Sequence, residues 1–111
     1  RFGRMEIRQY QIFLVNLDPT IGSEIKKTRP CLVVSPDEMN KYLRTVVVAP
    51  LTTSIKSYPT RFAVNLNKKQ GQVALDQIRT IDKKRIIKKM GVLSKAEVNK
   101  CKTILRETYV D

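Results

Sequence analysis

Before residue 94 the apolar runs of this chain are short, rich in β-branched and aromatic residues, and stopped by proline, glycine or a turn. Runs of that kind are the mark of strands. They fall at Tyr10–Leu17, Pro30–Ser35, Thr45–Ala49 (stopped at Pro50), Thr60–Leu66 and, after a turn at Asn67–Gly71, from Gln72 to Leu75. Asp76–Asp82 then interleaves polar and apolar residues. Only after them does a long helical period arrive. Ser94-Lys95-Ala96-Glu97 is a capping box, in which hydroxyl and carboxylate satisfy the first free N–H groups reciprocally. Val98, Cys101, Ile104, Leu105 and Thr108 then share one helical face. A shorter helix is expected from Ser35 as N-cap, with Pro36 in its first turn, running toward Tyr42. Strands first and a helix last, without alternation, imply a mainly β domain. Its form is a small, strongly bent antiparallel sheet or barrel with the terminal helix packed on it.

One stretch joins chemistry to this frame. In Thr28-Arg29-Pro30-Cys31-Leu32-Val33-Val34-Ser35-Pro36 a cation stands directly before a proline, and a buried strand follows. Proline denies the ladder one donor, so Pro30 is expected at the strand's first position. Arg29 then sits where the long loop Asp18–Thr28 enters the core, held by a rigid element with its head in solvent. That placement suits phosphate recognition; the alternative is a surface arginine paired with a carboxylate such as Glu24. At the mouth of the third strand, Thr52-Thr53-Ser54 places three hydroxyls in a row.

The charge balance names the class of partner. Twenty-two Lys and Arg against ten Asp and Glu leave a formal net charge of +12. Such a field draws polyanions, nucleic acid above all. Lys83-Lys84-Arg85-Ile86-Ile87-Lys88-Lys89 concentrates the charge around an apolar pair. The chain has no histidine, which excludes imidazole acid–base chemistry, Ser-His-Asp triads and His-containing zinc sites. Its carboxylates are scattered, against a two-metal nuclease, and no cofactor is expected. Cys31 and Cys101 show no metal spacing and read as small core residues in a reducing cytoplasm.

At 111 residues the chain is one domain, expected over 5–111, with Met5 the native start and Arg1 to Arg4 an expression remnant. No stretch approaches the roughly 18 apolar residues of a membrane span, and no leader resembles a signal peptide.

Four blocks in series resemble the MazF/PemK family of toxin–antitoxin ribonucleases. They are Asn16-Leu17-Asp18-Pro19-Thr20 with Gly22-Ser23-Glu24; Thr28 to Pro36; Val46-Val47-Val48-Ala49-Pro50-Leu51-Thr52; and Asp76-Gln77-Ile78-Arg79-Thr80-Ile81-Asp82. The resemblance implies an SH3-like barrel that forms a homodimer, cuts single-stranded RNA without metal, and is silenced by an antitoxin, here expected to be acidic. It assigns catalysis to Arg29 and Thr52. The Kid branch relies instead on a histidine in the first loop and an arginine–aspartate pair; those positions hold Ser23 and Ala74 here, leaving only Asp76.

RNA supplies its own nucleophile, the 2′-hydroxyl, so the reaction needs proton management and stabilisation of a phosphorane-like transition state. Arg29 can place forked donors on the phosphoryl oxygens. Thr52 can orient the phosphate or the hydroxyl, and Glu24 is the candidate base by position. Ser23, Thr53, Ser54, Asp76, Gln77 and Arg79 are expected substrate contacts, with a structural Arg79–Asp82 pair as the alternative for Arg79. Two rivals stand beside this reading: a CcdB-like gyrase poison on the same fold, and a non-catalytic RNA-binding barrel. Aromatics at 6% of the chain leave little for the base-stacking platform of the second.

Overall fold

A computed structural model describes residues 6–17 and 28–110. Among these residues seven strands and two helices follow one another: β1 Gln11–Asn16, β2 Thr28–Val33, α1 Asp37–Tyr42, β3 Thr45–Thr52, β4 Arg61–Leu66, β5 Lys69–Ala74, β6 Arg79–Asp82, β7 Ile86–Val92 and α2 Lys95–Tyr109. Single 3₁₀ turns at Leu75–Gln77 and Lys83–Arg85 flank β6. All pairings are antiparallel, in the order β4-β5-β3-β2-β1-β7, with β6 also on β3. The expected mainly β fold with a terminal helix is what the chain adopts: a curled antiparallel sheet closed by α2.

Alternation along β1, β2 and β3 sends side chains to two cores. Leu32, Ala49 and Leu51 join Phe62, Val73 and Leu75 beneath α2, which contributes Cys101. Their neighbours Cys31, Val33, Val46 and Val48 face the other way, with Phe13, Val15 and Ile81. Both cysteines are buried and unpaired, as their apolar surroundings predict. The capping box at Ser94 and Glu97 is present in both directions, at 3.2 and 2.8 Å. Thr108 proves exposed, so the apolar face of α2 ends with Ile104 and Leu105.

Several boundaries differ from the sequence expectation, each for a physical reason. β2 begins at Thr28, so Pro30 is its third residue and Arg29 lies within the strand opposite Val15. The ladder to β3 runs only from Val33 to Cys31, so no β3 partner is asked of the missing N–H. β3 runs through Pro50 because it changes partners there: Val48 and the residues before it pair with β6, while Leu51 and Thr52 pair with Val73 and Gln72 of β5. Ser35 is not the cap of α1. Its hydroxyl turns inward, donating to Asn40 Oδ1 at 2.5 Å and accepting from Val47 N–H at 3.0 Å, and Pro36 takes the N-cap position. The β4–β5 turn is tighter than expected, with only Asn67 and Lys68 between paired Leu66 and Lys69. Both have positive φ, 51° and 67°, as a type I′ hairpin loop requires. The lysine run holds a strand, β7, that pairs with β1 across two register shifts.

Candidate active site

Strand pairing sets Arg29 and Thr52 at the same end of β2 and β3. The β2–β3 pairs are Cys31↔Pro50, Leu32↔Ala49 and Val33↔Val48; Arg29 and Thr52 each lie two residues beyond the last of these pairs, at the same end of the two strands. Alternation puts both side chains on the face of Cys31 and Val48 rather than of Leu32 and Leu51. Arg79 joins them: it pairs with Val48, two residues before Ile81 on the same face. Burial pushes the Cys31 thiol up to about 12, while the charges of Arg29 and Arg79 both pull against that rise. Two exposed guanidinium groups therefore share the ground above one buried sulfur.

Thr52 is half-buried at the end of β3, and its Oγ1 accepts from the Ser54 N–H at 3.0 Å. With that acceptance made, the hydroxyl proton is left to donate outward. Thr53 and Ser54 are exposed on the loop that follows, and Gln77 is exposed on its 3₁₀ turn. Ser23 and Glu24 lie outside the described residues.

Asp76 is engaged within the fold. Arg61 meets it with two donors, Nε to Oδ1 at 2.9 Å and Nη2 to Oδ2 at 3.3 Å, and Thr60 Oγ1 donates to Oδ1 at 3.0 Å. The Arg61 hydrogen bond holds the Asp76 carboxyl below its usual range, against a smaller push from burial. The ring of Tyr58 covers the same guanidinium, 5.0 Å from its centroid. Arg61 was not legible as a site-region residue, because its partner lies 15 residues away on the 3₁₀ turn after β5. Ala74 offered the one signal: it is the cross-strand partner of Arg61, and its small side chain leaves room for the guanidinium to pass to Asp76. An arginine–aspartate pair thus exists, drawn from the start of β4 and the 3₁₀ turn after β5.

Arg79 and Asp82 do not meet. Three residues apart on one strand, they point to opposite faces, and Asp82 instead accepts from the Lys84 N–H at 2.8 Å. The basic run divides in the same way. Lys83 donates to the Asn40 carbonyl and Arg85 to the Asn16 carbonyl, whereas Lys84, Lys88 and Lys89 stay exposed. Ile86 packs into the core beside Val15, and Ile87 faces out. Among the described residues no three His, Cys, Asp or Glu side chains gather as a metal site, and no helix is long and apolar enough to cross a membrane.

A curled sheet closed by one helix, with forked cations and a donating hydroxyl on one rim, defines a small domain built to receive a polyanion. A family model of PemK-like, MazF-like toxins of type II toxin–antitoxin systems matches residues 8–109, and the chain belongs to that family. It is 37% identical over 98 residues to the endoribonuclease MazF of Staphylococcus epidermidis, covering 83% of this chain and 82% of that protein. A mycobacterial endoribonuclease solved in complex with its cognate antitoxin superposes with a TM-score of 0.79 at 26% identity, covering 91% of this chain and 92% of the other. MazF of Deinococcus radiodurans shares the fold, with a TM-score of 0.77 over 94% and 96% of the two chains.

Proposed function

We propose that this toxin is a metal-independent endoribonuclease that cuts single-stranded RNA by attack of the 2′-hydroxyl on the adjacent phosphate. The observation that carries the reading is that Arg29 and Thr52 each lie two residues beyond the last β2–β3 pair, on the face shared with Arg79. Forked donors from Arg29 suit the equatorial phosphoryl oxygens, where charge grows in the transition state. Thr52 accepts from the Ser54 N–H with one of its two lone pairs and donates a hydrogen bond to a phosphate oxygen; the acid–base weakness of an alcohol keeps it from being the base. Glu24 keeps the base role by position in the sequence. Ser23, Thr53, Ser54, Gln77 and Arg79 are the expected RNA contacts, and Lys84, Lys88 and Lys89 add affinity that does not depend on sequence. Asp76, committed to Arg61, shapes the rim beside them. The relatives support the reading: one is an endoribonuclease by name, and another was solved with its antitoxin.

The protein works in the cytoplasm as a homodimer, and an acidic antitoxin segment orders across the positive face to silence it. A light-scattering mass near 12.8 kDa at micromolar concentration counts against the dimer. Binding of the antitoxin weakens as salt rises.

Incubating the protein with a long single-stranded RNA in EDTA tests the activity. Discrete products, lost when the nucleotide 5′ to the cut carries 2′-deoxyribose, are expected. Intact RNA with a gel shift leaves only a binding barrel. Gyrase inhibition without either points to a poison.

A further inference from the structure

The loop from Thr53 to Thr60 leaves the site and carries almost nothing into either core: residues 53–59 are all exposed, Ile55 and Tyr58 included. Such a segment does not hold a fixed path by burial, and its ordering entropy has to be offset elsewhere. One side chain does this close to Thr52. Gln72 is only 9% exposed, and its amide reaches a single loop residue with both ends: Oε1 accepts from the Lys56 N–H at 3.0 Å, and Nε2 donates to the Lys56 carbonyl at 2.9 Å. A side chain here plays the part of a strand partner for one backbone residue.

Gln72 is also the cross-strand partner of Thr52. The segment from Thr52 to Lys56 is therefore anchored on the same residue at both ends, by the ladder at Thr52 and by the amide at Lys56. Inside that closed loop the Ser54 N–H lies on Thr52 Oγ1 at 3.0 Å. This bond sets the rotation of the Thr52 hydroxyl, and with it the direction in which the proton is offered. Release of Lys56 frees Ser54 to leave, and the threonine then turns among its rotamers. Because the Gln72 amide is shielded from water, its two bonds are costly to leave unmade.

We infer that Gln72 is a positioning residue of the active site: by clamping Lys56 it holds Ser54 on Thr52 and aims the Thr52 hydroxyl at the scissile phosphate. The inference rests on the ribonuclease reading above, and Gln72 itself touches no reacting atom.

The test is a double-mutant cycle of Thr52→Ala and Gln72→Leu, read in single-turnover cleavage of one RNA and in the exchange of the Ser54 amide proton. Gln72→Leu is expected to lower kcat between about ten- and a hundredfold, the scale of a misplaced catalytic group, with KM nearly unchanged. In the Thr52→Ala background it adds little further, since a group acting through Thr52 has nothing left to aim. Full multiplication of the two losses, or an unchanged kcat, overturns the inference. Should Gln72→Leu fold poorly, Gln72→Glu replaces it. The carboxylate keeps the acceptor for the Lys56 N–H but faces the Lys56 carbonyl with negative charge; protonated, it again offers a donor and an acceptor. Activity of that variant relative to wild type is expected to recover below about pH 5, and parallel pH profiles overturn the clamp. The exchange measurement needs no RNA: if the wild type cleaves nothing, the function fails, while faster Ser54 exchange in Gln72→Leu still upholds the clamp and unchanged exchange refutes it.

Discussion

Arg61 and Asp76 meet with two donors on two oxygens, from a guanidinium whose side chain is 7% exposed to a carboxylate that is 33% exposed. The pair joins the start of β4 to the 3₁₀ turn after β5, and Tyr58 closes over it. Its titration gives the first prediction. Arg61 holds the folded-state pKa of Asp76 below the ordinary value, so in acid the unfolded chain takes up the proton first. The stabilisation is therefore complete above the unfolded pKa and is lost as pH falls through the folded one. Melting curves of wild type and Asp76→Asn should differ by a steady gap from about pH 5 to 7, and that gap should shrink below about pH 4. A gap unchanged down to pH 2 would show that the ion pair does not set it.

Arg29→Ala should fold normally and lose nearly all cleavage. Its side chain is exposed, and truncation should cost no more than about 1 kcal/mol. Loss of one transition-state donor lowers the rate on the order of a hundred- to a thousandfold. Arg29→Lys should not restore it, because lysine keeps the charge without the planar fork. RNA binding should survive, carried by Arg79 and the exposed lysines. A fully active Arg29→Ala protein would remove the centre of the proposed site.

Thr52→Ala should be impaired and Thr53→Ala much less so. Thr52 ends β3 with its hydroxyl fixed by Ser54, while Thr53 is exposed beyond the strand. Thr52→Ser keeps the oxygen and should lie between wild type and Thr52→Ala. Equal losses from the two alanine variants, measured as kcat on one RNA, would count against this assignment.

Gly71→Ala should disturb the site from behind. A Cβ at Gly71 would come 3.0 Å from the Thr52 carbonyl oxygen, backbone that the β5 ladder holds in place. Overpacking of that kind costs about 1–3 kcal/mol and here would push on Thr52 itself. Gly91→Ala is the control: its Cβ would meet the end of the Leu66 side chain, which can swing aside. Melting temperature and cleavage should both fall further for Gly71→Ala than for Gly91→Ala.

Sequence reasoning reached as far as local signals extend. The cap of α2 was legible because Ser94 and Glu97 bond within one turn, and the strand bearing Cys31 was legible from its unbroken apolar run. Arg29 and Thr52 were singled out through the family blocks, and the β2–β3 register sets them at one end of the two strands. Pro50 was misread as a stop because a change of strand partner leaves no mark in the residues around it. β7 was hidden by its lysines, whose charge obscures a strand held by backbone bonds to β1. Arg61 and Gln72 went unnoticed for a shared reason: each finds its partner on a separate segment, Asp76 or Lys56, which only the folded sheet brings near.

The cysteines fall one to each core, Cys31 beneath the guanidinium groups and Cys101 beneath α2. Their thiols are fully buried and pushed up to about 12 and about 11, so little thiolate exists and none of it meets solvent while the cores stay closed. A sulfhydryl reagent then reports openings, one core at a time. Faster reaction at Cys101 would mean that the helix peels away before the arginine-bearing half loosens; faster reaction at Cys31 would mean the reverse. The order in which the two halves let go can be timed from the sulfurs already in the chain, with no probe introduced.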